Sequence, residues 1–481
     1  MIRFLLNDRE IATAAAPGLL ALDWLRRHQR LCGTKEGCKE GDCGACTVLL
    51  GELEGEEVRY LPMTSCLMPL AELAGRHLVT VEGLALESGP GAARLNPVQQ
   101  AIVDFGGSQC GFCTPGIVVS LTSLLMAAPA AGSTPERETA RGLSGHLCRC
   151  TGYRSLKEAG AGALTATAER GVPALVAAGA LPPYFLEVPR RLASLAATAA
   201  AGPAEEDTAA TWIGGGTDLY VQQGEDLPAR PLRLVPRPAV AVVRDGESLR
   251  VAAGATFQQL AEDAELCRVL PRLPQWMEEI ASWQIRNRAT LGGNIVNASP
   301  IGDLSLLFLA WRAELRLTSA GEERILPLRD FYLGYKKTAL RPGELVRELR
   351  VAAPPTLVAG WEKVAKRRSL DIASVNLALL FCRDDAGLPR RVGLAVGGVA
   401  PVPLALARCE ALLEGARVDL ALAEKVLATA QEEIAPISDV RGSADYKRLL
   451  VRQLLIAQLT SQFPQALTVA DFYRQEVSHG G

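Results

Sequence analysis

The chain has 481 residues, more than a single hydrophobic core can organise, so about three or four domains are expected. Its 51 basic and 53 acidic residues leave a net charge of −2, which excludes an overall basic field for nucleic acid or anionic lipid. A composition 48% hydrophobic and 22% charged belongs to a packed chain and excludes a disordered one.

The opening residues Ile2–Leu6 read as a strand, and Leu19, Leu22 and Leu25 recur at helical spacing in a segment ending near Arg30. Cys46–Leu50 and Val58–Leu61 read as strands around a turn-rich 51–57, closing a small α+β unit at 1–75. From Asn96 the signals become helical: Asn96 with Gln99 forms a capping pair around Pro97, Val98, Ile102 and Phe105 share a face, and Gly106 ends the run. Thr114-Pro115, Thr134-Pro135 and Ser155 with Glu158 repeat the start signal, so 76–158 is expected to be a helical bundle. The Ala/Gly-rich 159–182, ending in Pro182, reads as helix extension and then linker. Ala193 to Ala210, with Glu205-Glu206-Asp207, reads as a surface helix and loop. Strand-like and helix-like pieces alternate over 183–353, and 358–475 is α+β, with a strand at Val392–Val396 and a helix at Leu420–Glu433.

No run is long and apolar enough to cross a membrane: Leu306–Trp311 is too short, and 117–131 is interrupted by Ser120, Thr122, Ser123 and Pro129. The first ten residues become charged before a secretion signal can form, so a cytoplasmic location without membrane or nucleic-acid partners is expected. In a reducing compartment, closely spaced cysteines more often hold metal than pair as disulfides. Eight of the 12 lie in two groups before residue 151, while Cys32, Cys267, Cys382 and Cys409 are isolated and read as packing residues.

Cys38, Cys43 and Cys46 have the spacing C-x4-C-x2-C, with Cys66 further on, the arrangement of a plant-type [2Fe–2S] cluster. Gly37, Gly41 and Gly44 give the loop freedom to fold around an inorganic core. A structural zinc site is the alternative. The second group is Cys110 and Cys113 with Cys148 and Cys150. Cys113 immediately precedes a helix start, where unpaired N–H groups favour a negatively charged cluster. By spacing alone, a second [2Fe–2S] centre, a zinc site and a redox disulfide all remain open.

Taken together, Cys38 to Cys46, the run Gln109-Cys110-Gly111-Phe112-Cys113-Thr114-Pro115-Gly116 and the run Leu147-Cys148-Arg149-Cys150-Thr151-Gly152-Tyr153 resemble the iron–sulfur half of the molybdenum hydroxylases, the xanthine dehydrogenase family. The resemblance implies a β-grasp ferredoxin domain followed by a helical [2Fe–2S] domain. His146 stands where that family usually has Asn and reads as a solvated or capping residue.

Trp212-Ile213-Gly214-Gly215-Gly216-Thr217-Asp218-Leu219 follows a strand-like run, and successive glycine N–H groups can form an anion nest that approaches a pyrophosphate. A second loop, Thr290-Leu291-Gly292-Gly293-Asn294, adds to this signal. Neither GxGxxG nor GxxxxGK[ST] occurs, so neither a Rossmann dinucleotide site nor a P-loop is supported. The two loops are similar to the vanillyl-alcohol-oxidase-type FAD domain of the same family. That resemblance implies that both loops hold FAD, that Asp303, Ile280, Val346 and Lys363 contact it, and that a small α+β flavoprotein domain closes the chain.

The family's large molybdenum-cofactor domains have no counterpart here, which implies a molybdopterin-binding large subunit as partner and a dimer of heterodimers. Gln109 and Cys150 match positions bordering the pterin. The resemblance implies electron flow from molybdenum through both clusters to FAD, with NAD⁺ as acceptor. The fused order of iron–sulfur and flavin parts favours xanthine dehydrogenases over carbon monoxide dehydrogenases, with a hydroxylase of another aldehyde or N-heterocycle as runner-up. A zinc-stabilised, non-redox scaffold is the reading from a different class. Tyr335-Lys336-Lys337-Thr338 and Lys366-Arg367-Arg368-Ser369-Leu370-Asp371-Ile372 match segments flanking the NAD⁺ face in the family, although Leu370 replaces a residue that is often acidic or polar.

Overall fold

The computed structural model describes residues 1–86, 94–129, 132–198, 210–319 and 321–473. Contacts divide the chain into two units: Met1–Val235 with Ala281–Ala289, and Pro236–Ile280 with Thr290–Gly481.

The first unit begins with a five-stranded sheet whose first strand is Ile2–Leu6, with Phe4, Leu5 and Leu6 all buried. Thr47–Glu54 and Glu57–Thr64 form an antiparallel hairpin in full register, and His77–Val79 lies between that hairpin and Ile2–Leu6. The helix Ala21–Arg27 buries Trp24 and Leu25 against Phe4, Leu6, Val48 and Leu50 on one face of the sheet. This β-grasp arrangement leaves the loop of residues 28–46 to be shaped by its glycines and cysteines.

His77 sits fully buried in this sheet. Its Nδ1 accepts from the Tyr60 hydroxyl at 2.8 Å and its Nε2–H donates to the Asn7 carbonyl at 2.9 Å. Burial holds its pKa down at about 3, so the folded chain stays neutral at this position where the unfolded chain, with an ordinary value of 6.5, takes up a proton. The stability is present above pH 6.5 and is lost as pH falls from there toward 3, by up to ~1.4 kcal/mol per pH unit. Urea denaturation at pH 7 and pH 5 should therefore show a smaller acid loss in His77→Gln than in the unaltered chain.

The helical part follows the capping signals closely. Asn96 and Gln99 form a reciprocal capping box on Pro97–Asp104, and Thr134 caps Pro135–Leu143. Thr114–Met126 is buried almost throughout, and the Ser120 and Ser123 hydroxyls within it donate to the Gly142 and Ser120 carbonyls. Three expectations are corrected here. Phe105 does not share the buried face of Val98 and Ile102; it lies past the helix end and is 46% exposed. Ser155 is not a cap: the helix Arg154–Ala166 starts after Tyr153, which adopts the left-handed conformation at φ 69°. The stretch 159–182 is not a linker, because the helix runs to Ala166, a second helix occupies Val172–Ala177, and Leu175, Ala180 and Leu181 enter the same core as Ile117 and Leu121.

Val188–Thr198 then buries Val188, Leu192 and Leu195 against Leu5, so the part of 183–353 up to Val235 packs with the iron–sulfur half. The Glu205-Glu206-Asp207 segment lies outside the described residues. Thr211–Ile213 pairs in parallel with Leu232–Leu234. Ile213 and Tyr220 share a core with Cys46, Cys66 and Leu67, and the short helix Trp283–Arg286 lends Ile285 to it.

Among the described residues the second unit holds two larger antiparallel sheets and a two-stranded ribbon, Tyr332–Gly334 with Lys337–Thr338. The first has the order Glu322–Pro327, Glu314–Ser319, Leu345–Ala352, Ser248–Ala252, Val242–Asp245. The second runs Leu357–Val364, Val375–Arg383, Pro389–Gly397, Leu404–Ala405 and is packed on Leu420–Glu433 and Ala444–Gln462. The expected strand at Val392–Val396 and helix at Leu420–Glu433 are both present. Cys382 and Cys409 are buried packing residues and Cys267 is half-buried, but Cys32 is exposed and so is not the packing residue expected. Among the described residues, no helix is long and apolar enough to cross a membrane.

Candidate functional site

The cysteines close up in twos. The Cys38 and Cys43 thiols hydrogen-bond one another, as do those of Cys46 and Cys66, and the charge on Cys38 is felt at both members of the second pair. Cys38 is held down to about 5, chiefly by the bond from Cys43, and Cys66 is pushed up, chiefly by its bond to Cys46. Sulfurs this close cannot both ionise without a cation between them. This pairing fits two metal ions with two thiolates each, as a [2Fe–2S] core requires, and among the described residues no three such side chains are gathered for a single ion. One zinc ion would need four sulfurs equidistant from a single point. Gly37 belongs to this packing: a Cβ there would lie 2.7 Å from the Cys43 sulfur.

The second set repeats the pattern. Cys110 bonds to Cys150, and Cys113 to Cys148. Cys113 is the N-cap of Thr114–Met126, and burial pushes its thiol up to about 12. The Tyr153 hydroxyl accepts the Cys148 N–H at 2.9 Å and donates to the His146 carbonyl at 3.1 Å, and the Thr151 hydroxyl lies 3.2 Å from the Cys148 sulfur. A cavity of about 120 Å³ opens among Gln109, Cys110, Cys113, Cys148 and Cys150. Gln109, Cys110 and Cys150 are exposed there, and Phe112 and Leu147 are 47% and 46% exposed.

The two loops are joined. The Leu147 N–H donates to the Cys43 carbonyl at 3.0 Å, and the Lys35 ammonium donates to the Gly111 carbonyl at 2.8 Å. His146 corrects the sequence reading, being 3% exposed and neither solvated nor a cap. It fills the space beside Gly44, and its Nε2 lies 3.2 Å from the Gln284 amide nitrogen, which also donates to Ser120 and the Gly142 carbonyl.

The flavin-type residues divide between the units. Trp212–Leu219 is in the first. Among the described residues, the N–H groups of Gly214, Gly215, Gly216 and Thr217 donate to no protein atom, so this loop offers a run of open donors to an anion. Gly216 has φ 69°, and a Cβ at Gly215 would lie 2.1 Å from the Arg288 carbonyl, so the close turn needs both glycines. Arg288, missed in the sequence, is wholly buried beneath this loop. Its guanidinium donates to Glu72 at 2.6 Å and to the Leu67 and Gly215 carbonyls, each at 2.8 Å.

Ile280, Thr290–Asn294, Asp303, Val346 and Lys363 are in the second unit. Lys363 donates to Asp303 at 2.9 Å and to the Glu279 carbonyl beside Ile280, while Asn376 holds the other Asp303 oxygen at 2.7 Å. The Thr290 loop is not a second open nest. Thr290 caps Leu291–Val296, and the N–H groups of Leu291, Gly292 and Gly293 are taken by Ala255, Ala253 and the Thr290 hydroxyl. What it offers a ligand is side chains. Val346 is buried on a central strand. Lys366, Arg367 and Arg368 are exposed, while Leu370 is buried at φ 52° and its carbonyl accepts from Arg367.

Comparison with known proteins gives four matches in chain order: a 2Fe-2S iron-sulfur cluster binding domain at 4–71, a [2Fe-2S] binding domain at 80–161, an FAD binding domain in molybdopterin dehydrogenase at 185–354, and a CO dehydrogenase flavoprotein C-terminal domain at 362–461. The chain is 30% identical to xanthine dehydrogenase 1 of Arabidopsis thaliana, over 88% of this chain and 36% of that protein. It is 28% identical to aldehyde oxidase 4 of Cavia porcellus, over 95% and 39%. A solved carbon monoxide dehydrogenase from Hydrogenophaga pseudoflava, lacking the Mo-pyranopterin moiety, matches at 25% identity and a TM-score of 0.49, over 54% of this chain and 91% of that one. The chain spans well under half the length of the two curated relatives. By its four domains in this order, it belongs to the iron–sulfur and FAD part of the molybdenum hydroxylase family.

Proposed function

We propose that the chain is the electron-transfer subunit of a molybdenum hydroxylase, receiving electrons from molybdopterin on a partner subunit and delivering them to NAD⁺. Two [2Fe–2S] clusters and FAD supply the redox chemistry when bound. The chain's own residues hold, space and insulate those groups. The observation that carries the reading is the hydrogen bond from Leu147 to Cys43, which joins the backbone of one ligand set to that of the other.

The exposed rim of Gln109, Cys110, Phe112, Leu147 and Cys150 is the face for the molybdopterin-binding subunit, in a cytoplasmic dimer of heterodimers. Xanthine or hypoxanthine is the favoured substrate of the assembled enzyme, supported by the likeness to a xanthine dehydrogenase. The likeness to an aldehyde oxidase supports the second reading, an aldehyde or N-heterocycle. Lys336, Lys337, Lys366, Arg367 and Arg368 form the exposed cationic segments for NAD⁺.

The test is to mix the FAD-replete chain with NADH without oxygen and follow flavin bleaching. Bleaching is expected without any partner, because hydride transfer to FAD needs no molybdenum, whereas xanthine should reduce the chain only when the partner is added. Unchanged absorbance at saturating NADH would remove NAD⁺ as acceptor. Metal analysis should return about four irons and four acid-labile sulfides per chain. Zinc in their place would favour the non-redox scaffold.

A further inference from the structure

We infer that Arg288 is a positioning residue that sets FAD affinity and the potential of the ferredoxin-type cluster together. The inference rests on the proposed reading of Gly214–Thr217 as pyrophosphate cradle and of Cys38, Cys43, Cys46 and Cys66 as cluster ligands.

The three acceptors of its guanidinium belong to three different segments. Glu72 lies in the turn Leu70–Leu73, Leu67 follows the ligand Cys66, and Gly215 is the middle glycine of the nest. One nitrogen, Nη2, serves both the Leu67 and the Gly215 carbonyls. A trans peptide points its C=O and N–H in opposite directions. Drawing the Gly215 carbonyl down onto Arg288 therefore turns the Gly216 N–H to the opposite, open side, where an anion is to be met. The same nitrogen pins the backbone next to Cys66.

The two segments are in close approach. A Cβ at Gly216 would lie 3.2 Å from the Leu67 carbonyl, so the nest rests on the ligand segment with no side chain between them. Burying a guanidinium and a carboxylate is costly, and well-packed apolar residues would often serve stability as well. The pair gives what apolar residues cannot, a fork that orients two carbonyls and a positive charge beside a centre that becomes more negative on reduction. A cation there favours the reduced cluster and raises its potential.

The test uses the full chain and two variants, Glu72→Gln and the double variant Arg288→Gln/Glu72→Gln, which leaves no buried charge alone. FAD affinity is read by flavin fluorescence on the deflavinated protein, and the potential by EPR-monitored redox titration, with the helical-domain cluster as internal reference. The double variant should bind FAD about tenfold or more weakly, the worth of one hydrogen bond to a charged group. The ferredoxin-type potential should rise in Glu72→Gln, where the guanidinium loses its counter-charge, and fall from that value in the double variant. The helical-domain cluster should stay nearly fixed. A folded double variant with unaltered FAD affinity, or equal potentials in the two variants, overturns the role of Arg288. An unaltered chain that holds no FAD or no ferredoxin-type centre overturns the functional reading and this inference with it.

Discussion

Cys43→Ser is expected to abolish the ferredoxin-type EPR signal and leave the helical-domain signal intact, and Cys148→Ser to do the reverse. Each candidate ligand set couples within its own loops: Cys38 with Cys43 and Cys46 with Cys66 in one, Cys110 with Cys150 and Cys113 with Cys148 in the other. Losing one thiolate of four strands an iron, and a binuclear core does not survive that, so each variant should lose about half of its iron. Turnover of the assembled enzyme should fall to background in both, because the two centres act in series. Loss of both signals from a folded variant would mean that the ligands are wrongly grouped.

Gly44→Ala should be among the most damaging single methyls in the chain, because it combines a positive φ with a backbone clash. Gly44 adopts φ 69°, and its Cβ would lie 2.3 Å from the Gly145 carbonyl and 2.5 Å from the His146 ring. The left-handed conformation costs ~1–2 kcal/mol for alanine, and forcing apart backbone that cannot yield adds ~1–3 kcal/mol. Gly55 provides the control, since it has φ 64° and nothing within 4 Å of its Cβ, so Gly55→Ala should show the conformational cost alone. Thermal unfolding of the two variants should separate these contributions. Because Gly44 lies between Cys43 and Cys46 and touches the segment preceding Cys148, its substitution should also lower the occupancy of both clusters. A Gly44→Ala chain no less stable than Gly55→Ala would contradict the close packing of the two loops.

The grouping of the candidate ligand cysteines and the helix starts were legible where they are written locally. Cys38, Cys43 and Cys46 lie within one loop, and the capping box at Asn96 and Gln99 acts across three residues, so both can be read from spacing. What escaped depends on distant partners. His146 looks like a surface residue until Gln284 and Gly44 are brought against it, and Ser155 has the composition of a cap but follows a left-handed Tyr153 that starts the helix earlier. The Ala-rich 159–182 resembles a linker because its anchors, Leu175 and Leu181, are few and isolated in sequence. Arg288 carries no motif of its own: its role lies in Leu67, Glu72 and Gly215, each at least 70 residues away in the chain. The loops Gly214–Thr217 and Thr290–Asn294 look equivalent as glycine-rich strings, yet only the first leaves its N–H groups open, because Ala253 and Ala255 take those of the second.

The central claim is that one chain holds two one-electron centres and a two-electron flavin. Anaerobic titration of the purified, FAD-replete chain with dithionite, followed by visible absorbance and EPR, tests it most directly. The account predicts uptake of about four electrons per chain, with two distinguishable [2Fe–2S] signals and full flavin bleaching. A chain that takes up two electrons or fewer, or that binds zinc and shows no EPR signal when reduced, would contradict it.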